Sequence, residues 1–155
     1  MDFELSVFIR RSPTDVFNFL RDKDLAVQKE GSPVILLEKT TSGPTGVGTR
    51  YRELVQMLPF IRGEILSEIT RYEPNQYLEE RFEGAGMKGY LVYQFLQEDD
   101  GTRLVQRQTL LPQGMLSLLE PIIHPTFSRR IRERLDAIKH ILEHGYDSKS
   151  IRTEH

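Results

Sequence analysis

The sequence predicts an α+β fold in which a curved antiparallel sheet of about six or seven strands packs on one long carboxy-terminal helix. Two observations lead to this prediction. The run from Leu116 to His144 repeats its apolar residues at the spacing of a helix with one buried face. Almost everything before that run reads as strands separated by turn residues, so helix and sheet are segregated along the chain. We expect the sheet to curve, because a flat sheet does not wrap a single helix.

The first element is a strand, and a short helix follows it directly. Apolar and polar residues alternate over residues 2–10, which is the pattern of a half-buried strand. Ser12 is placed to cap a helix, Pro13 suits its first position, and Asp15 can hydrogen-bond back to the cap. From Asp22 to Ser32 we expect a second short helix or a loop.

Six further strands are predicted in hairpin order, separated by residues that favour turns: Val34 to Thr40, Gly48 to Leu58, Ile61 to Tyr72, Gln76 to Glu83, Lys88 to Gln97 and Thr102 to Leu111. The join at Pro59-Phe60 decides the facing of the two strands beside it. If that join is tight, Arg52 and Leu54 turn towards the helix with Ser67, and Glu53 turns towards solvent.

The 155 residues suit a single domain, which we place at residues 1–145. Gly145 stands where a helix commonly ends on glycine. The polar residues 146–155 are expected to form a frayed tail. We find neither an internal repeat nor a linker that would divide the chain.

Composition excludes several classes of protein. The net charge of −2 with dispersed signs argues against a nucleic-acid surface, and no apolar run approaches the roughly 20 residues that span a bilayer. The first residues lack a signal-peptide pattern, and the chain has no cysteine for disulfides or thiolate chemistry. We therefore expect a cytoplasmic protein with no nucleic-acid partner and no integral membrane contact, and with a homodimer left open.

Turn and helix-cap residues stand at the ends of these elements in four short motifs: Arg10 to Phe17, Gly46 to Thr49, Tyr72 to Pro74 and Asp100 to Leu104. With them, residues 2 to about 144 resemble the START/Bet v 1-like helix-grip superfamily (SRPBCC), and within it the polyketide cyclase/dehydrase-like family. The resemblance implies the fold more than the function. Similar proteins bind sterols, lipids, quinones, polyketides or plant hormones, act as cyclases, or help a partner protein. Many relatives carry a Trp after the first helix, and this chain has none, so the mouth of the cavity is expected to differ there.

In such a fold the concave face of the sheet and the long helix enclose a pocket, and its polar residues are informative about function. Strand parity and helical spacing predict an inward-facing set, which we take as the candidate ligand-binding residues: Arg52, Ser67, Glu80, Tyr93, Gln106, Gln108, Phe127 and Arg134. Because a buried charge needs a partner, we expect Glu80 to contact either Arg52 or Arg134.

A structural role is the alternative for each of these residues. Arg134 can extend to the edge of the helix and keep its charge in water, and the two glutamines can lie near a solvent-open strand end. A β-bulge would also reverse the facing of the residues beyond it.

Two prolines, Pro121 and Pro125, interrupt the start of the long helix and leave two interpretations open. The run Ser117 to Glu120 has the form of a capping box, in which Glu120 is structural. If the helix is instead continuous there, Glu120 and His124 project towards the pocket, and His124 becomes a candidate general base.

The run His140 to His144 spells H-x-x-E-H, a zinc-binding pattern in one class of metalloprotease. Both histidines fall on the polar face before Gly145, where a histidine is also favourable beside the negative end of the helix dipole. The pattern lacks a third ligand and a substrate cleft. We therefore expect no metal site and no cofactor.

The leading hypothesis is a protein that binds a small hydrophobic or amphipathic ligand (lipid, polyketide or quinone-like) between the sheet and the long helix. The first alternative is an enzyme of the polyketide cyclase or dehydratase type, with Glu80 as its best-placed acid or base in the same cavity. The second alternative is a protein-interaction module.

Overall fold

The computed structural model describes residues 1–22, 34–58 and 61–145. It contains these elements in chain order: β1 (Asp2–Ile9), α1 (Pro13–Arg21), β2 (Val34–Lys39), β3 (Arg50–Leu58), β4 (Ile61–Glu73), β5 (Tyr77–Gly84), β6 (Met87–Glu98), β7 (Gly101–Pro112), a 3₁₀ helix (Gly114–Leu119) and α2 (Glu120–His144). The segment expected after Asp22, the join at Pro59-Phe60 and the polar tail lie outside the described residues.

The seven strands form one curved antiparallel sheet in the order β1-β7-β6-β5-β4-β3-β2, and α2 lies against it. The predicted α+β fold is therefore confirmed. Consecutive strands from β2 to β7 pair as hairpins, and β1 pairs with β7 to form one edge of the sheet. Within the described part of the chain, no helix is both long and apolar enough to cross a membrane.

Helix α1 begins as its sequence predicts. Ser12 accepts a hydrogen bond on its side-chain oxygen from the Asp15 amide at 3.2 Å, and Pro13 occupies the first helical position. The buried face of the helix includes Phe17, whose ring makes edge contacts with Tyr72 and Phe95 at centroid distances of 5.3 and 5.2 Å. These contacts attach α1 to the sheet at the end where the core is most completely buried.

The start of α2 differs from the capping-box prediction. A 3₁₀ helix ends at Leu119, the residue that precedes α2, and no side chain caps α2 there. Ser117 instead donates its hydroxyl to the Gly114 carbonyl at 2.7 Å. Pro121 lies in the first turn, where the missing amide hydrogen costs little. The capping-box interpretation of Glu120 is wrong for this reason.

The carboxy-terminal half of α2 covers the edge strand β1. Its buried face comprises Ile131, Leu135, Ile138 and Leu142. Beside that face, the Arg132 guanidinium donates to the Ser6 carbonyl at 2.9 Å, and the Lys139 ammonium donates to the Phe8 carbonyl. Because an edge strand exposes unpaired backbone groups, these two cations satisfy acceptors that β7 does not reach. They also fix where α2 lies along the strand.

Glu143 joins the same contact from the last turn of α2. Its carboxylate accepts a hydrogen bond from the Arg10 amide at 3.2 Å and another from Lys139 at 3.0 Å. Arg11 completes the contact by donating to the Leu142 carbonyl at 3.0 Å. Burial by itself would raise the pKa of Glu143, but the hydrogen bonds from Lys139 and the Arg10 amide outweigh it and lower that pKa.

We predict that Glu143→Gln lowers the free energy of unfolding by about 1 kcal/mol at neutral pH, because the charge-assisted hydrogen bonds are weakened. A carboxyl group with a lowered pKa stabilises the folded state at pH values above its ordinary pKa of 4.5. This stabilisation is lost as the pH falls through the pKa of the folded state. Urea unfolding of both proteins, from neutral pH downwards, measures the difference. Glu133→Gln is the matched control, because Glu133 is exposed and forms only a long ion pair with Arg129, at 3.8 Å. A wild-type advantage that stays constant into acid contradicts this account.

Candidate ligand-binding site

The register between β3 and β4 decides which side chains of β3 face α2. In that pairing Tyr51 lies opposite Ser67 and Glu53 lies opposite Ile65, with a one-residue shift between Gln56 and Leu58. An extra residue on one strand reverses the facing of everything beyond it. The inward side chains of β3 are therefore buried Tyr51, half-buried Glu53 and buried Val55.

The prediction that Arg52 and Leu54 face inward is wrong, and so is the placement of Glu53 in solvent. The Arg52 side chain is 54% exposed, and it donates to Glu64 on the outer face at 2.7 Å. The expected Arg52–Glu80 contact is absent because the two residues lie on opposite faces of the sheet. Only the register shift between β3 and β4 reveals this error, and the shift becomes visible only when the two strands are paired.

Strands β4 to β7 face as their alternation predicts. Ser67, Glu80, Tyr93 and Gln106 are buried on the concave face, and Gln108 is half-buried there. Cross-strand pairing arranges most of the inward side chains in two adjoining rows, one with Glu80, Leu91 and Gln108 and the next with Leu78, Tyr93 and Gln106. The structure thus brings four of the predicted site residues close together on three neighbouring strands.

The concave face is tightly packed near α1 and more open on the other side. Ile9 and Leu104 near α1 are fully buried. By contrast, several inward-facing apolar side chains elsewhere are only half-buried, and we call them the open half: Ile65, Phe82, Leu91, Ile123 and Phe127. Apolar side chains that face the interior and still contact water are typical of the lining of a ligand site.

The start of α2 lies over the row that contains Gln108. The His124 ring stacks on Phe3 with centroids 4.7 Å apart, and Phe3 pairs with Gln108 in the sheet. Phe127, one turn further along α2, is half-buried against the same core. His124 therefore packs on an aromatic ring at the sheet edge, and the described structure gives it no carboxylate orienter.

Arg134 lies at the border of the site. Its residue is exposed, as the structural alternative requires, yet its guanidinium carbon stands 5.9 Å from the centre of the Tyr93 ring. A cation over an aromatic face is an attractive arrangement. Arg134 therefore contacts a concave-face residue while keeping its charge in water.

Gln106 and Gln108 form an amide pair on β7. The Gln106 side-chain nitrogen donates to the Gln108 side-chain oxygen at 3.2 Å. Gln106 is only 1% exposed, and within the described residues its side-chain oxygen has no hydrogen-bond partner. This is an uncommon state, since buried polar atoms are nearly always paired.

The His140–His144 pair lies at the far end of α2, away from this site. Both residues are exposed, and their rings are 4.7 Å apart. In the described part of the chain, no three His, Asp or Glu side chains converge as they would around a metal ion.

Two open depressions, of about 330 and 290 Å³, lie over the strand pairs β1–β7 and β5–β6, and no residue of α2 lines either of them. We therefore define the candidate site by the facing and partial burial of its side chains.

An exposed apolar patch lies just before this site on the 3₁₀ helix and the first turn of α2. It comprises Met115, Leu118, Leu119 and Ile122, which are 85%, 79%, 44% and 70% exposed. Large apolar side chains clustered in solvent commonly mark an interaction surface.

Solved structures with the same architecture are numerous, although no family model and no curated protein matches the sequence. The Zhui aromatase/cyclase from Streptomyces sp. R1128 is 13% identical with a TM-score of 0.80, covering 96% of this chain and 97% of that one. TTHA0849 from Thermus thermophilus and the protein Ara h 8.0201 are each 17% identical, with TM-scores of 0.75 and 0.71. Each covers 92% of this chain and 97% of its own. The chain therefore has the helix-grip fold, as its sequence predicts.

We predict that thiol labelling distinguishes the two faces of the sheet, because the chain has no cysteine of its own. A cysteine in the Ser67→Cys variant should react with a polar thiol reagent at least about tenfold more slowly than one in Arg52→Cys, because only the second is exposed. Equal rates in the two folded variants would show that the assigned facing of β3 and β4 is wrong.

Proposed function

We propose that this protein binds a small hydrophobic or amphipathic molecule, of a lipid, polyketide or quinone-like kind, between the open half of the sheet and α2. The observation that carries the proposal is the partial burial of apolar side chains that face the interior. Every Å² of such surface that a ligand removes from water contributes about 25 cal/mol. A ligand of matching shape is therefore stabilised by side chains that the fold leaves in contact with water.

The polar residues beside this surface suit an apolar molecule that carries a few oxygen atoms. Ser67, Glu80 and the Gln106–Gln108 pair lie on the concave face, and Phe127 contributes an aromatic surface from α2. A few polar groups among apolar ones typically fix a ligand's orientation. The binding residues proposed are Ser67, Glu80, Tyr93, Gln106, Gln108 and Phe127, with Arg134 at the border.

An enzyme of the cyclase or dehydratase type is the first alternative. It is favoured by the buried, inward-facing carboxyl of Glu80, which is 8% exposed. A carboxyl group among apolar residues is the kind of group that catalytic sites use for proton transfer. The aromatase/cyclase with the same fold lends weight to this alternative by its architecture alone.

An interaction module is the second alternative, and the exposed apolar patch favours it. A protein partner that covers Leu118 and Ile122 would remove two of the most exposed aliphatic side chains from water. This alternative does not need the concave face, so substitutions in the patch and on the concave face can distinguish it from ligand binding.

We predict that native mass spectrometry of the purified protein, followed by organic extraction, detects a bound lipophilic molecule of defined mass. Phe127→Ala should reduce the bound fraction and weaken rebinding of the extracted molecule by at least about tenfold, since a buried aromatic contact is removed. Leu66→Ala is the matched control, because Leu66 is 55% exposed on the outer face. A ligand-free mass together with no thermal shift across a panel of lipids, quinones and aromatic polyketides counts against the proposal. The same spectra report whether the protein is a dimer.

A second experiment separates binder from enzyme. If Glu80 transfers protons, Glu80→Gln should abolish turnover of a cyclisation or dehydration substrate while ligand affinity changes little. A variant that leaves both affinity and turnover unchanged removes the main support for catalysis.

A further inference from the structure

The Gln106 amide is an energetic cost that the fold by itself does not explain. A buried acceptor without a partner destabilises a protein, because it loses its hydrogen bonds to water and gains none in return. Gln106 lies opposite Leu5 on β1 and the Tyr93 ring on β6, with Leu104 before it on the same face of β7, so a leucine would pack mainly against carbon atoms there. Its oxygen has no hydrogen-bond partner among the described residues, so a bound molecule is the natural source of one.

Gln108 connects this acceptor to the open half. It is half-buried, it shares a row with Leu91, and its side-chain oxygen is 3.2 Å from the Gln106 nitrogen. A molecule that rests on Leu91 can therefore place one polar group against both amides. The pair provides a polar end to an otherwise apolar surface.

We infer that Gln106 and Gln108 form a subsite for a neutral hydroxyl group, so that the ligand is an apolar molecule ending in an alcohol or a phenol. This inference rests on the proposed function and names the ligand class more narrowly. An amide can rotate to present either its oxygen or its nitrogen, and a hydroxyl satisfies both because it donates and accepts. A ketone or ether oxygen only accepts, so it can pair only with an amide nitrogen and leaves the Gln106 oxygen, as the structure orients it, without a partner.

Burial and the nearby Glu80 carboxyl disfavour a ligand carboxylate, which is the commonest competing polar group. Glu80 lies in the same row as Gln108, with Leu91 between them, and it is buried. A ligand carboxylate at the amide pair would bring a second acid into this part of the concave face and would lose its hydration. A neutral hydroxyl carries no such penalty, so the subsite should reject fatty acids and other carboxylates relative to alcohols.

The test compares probes of nearly equal shape: 2-naphthol, 2-methylnaphthalene and 2-naphthoate, each followed by its own fluorescence. The chain has no tryptophan, so indole emission does not overlap the signal. A purely apolar pocket prefers methyl to hydroxyl, because burial of a hydroxyl without a partner is unfavourable. We expect the wild type to reverse that order and bind 2-naphthol at least about fivefold more tightly than either other probe.

Gln106→Leu should abolish the preference for 2-naphthol while the affinity for 2-methylnaphthalene stays the same or rises. The matched control is Gln94→Leu, because Gln94 lies on the outer face and bonds the exposed Arg107 at 3.2 Å. Without ligand, Gln106→Leu should unfold at the same or a higher temperature than the wild type, since a buried unpaired oxygen is removed. Should that variant not fold, Gln108→Leu at the half-buried position takes its place, with the same loss of preference expected.

The outcomes separate this inference from the function on which it rests. Binding of 2-methylnaphthalene as tightly as 2-naphthol, or a preference that survives in Gln106→Leu, overturns the hydroxyl subsite and leaves the hydrophobic site intact. Tighter binding of 2-naphthoate also overturns it. If the wild type binds none of the three probes, the hydroxyl subsite is overturned, and the proposed function is judged separately by the native mass spectra and the ligand panel.

Discussion

The contact between α2 and the edge strand β1 determines how the rest of the molecule is arranged. Burial of Ile131, Leu135 and Ile138 holds the helix against the sheet, but apolar burial has no direction. Direction comes from Arg132 and Lys139, which bond carbonyl groups that β1 cannot pair with another strand. Because a hydrogen bond requires a short distance between donor and acceptor, these two bonds restrict where α2 lies along β1.

This position divides the concave face in two. The end of α2 near Glu143 contacts the chain between β1 and α1, where the core is fully buried. The opposite end, with Ile123 and Phe127, extends over inward-facing side chains that remain half-buried. One half thus supplies stability, and the other is left with apolar surface that a ligand can cover. Glu80 and Gln106 are buried polar side chains in the two rows that adjoin this apolar surface.

The helix-grip architecture does not choose between binding and catalysis, because one fold hosts many functions. The choice depends on individual side chains such as Glu80, Glu53 and the Gln106–Gln108 pair. Glu53 is an example. Its expected place on the solvent face would have excluded it as a candidate acid or base in the site. Its inward facing adds a second acid to the concave face, on a strand different from that of Glu80.

Local sequence determined much of this protein: the order of the strands, the cap of α1 at Ser12 and the facing of β4 to β7. Each depends on residues that are neighbours in the chain, so alternation and capping preferences suffice to predict it. Only the tertiary structure decided the facing of Arg52 and Glu53, because the register shift belongs to two paired strands and cannot be read from either one. The same holds for the start of α2 and for the bonds of Arg132 and Lys139 to β1. From the sequence, a charged residue on the polar face of a helix is expected to point into water. The backbone carbonyl that it bonds comes within reach only after the helix has packed on the sheet.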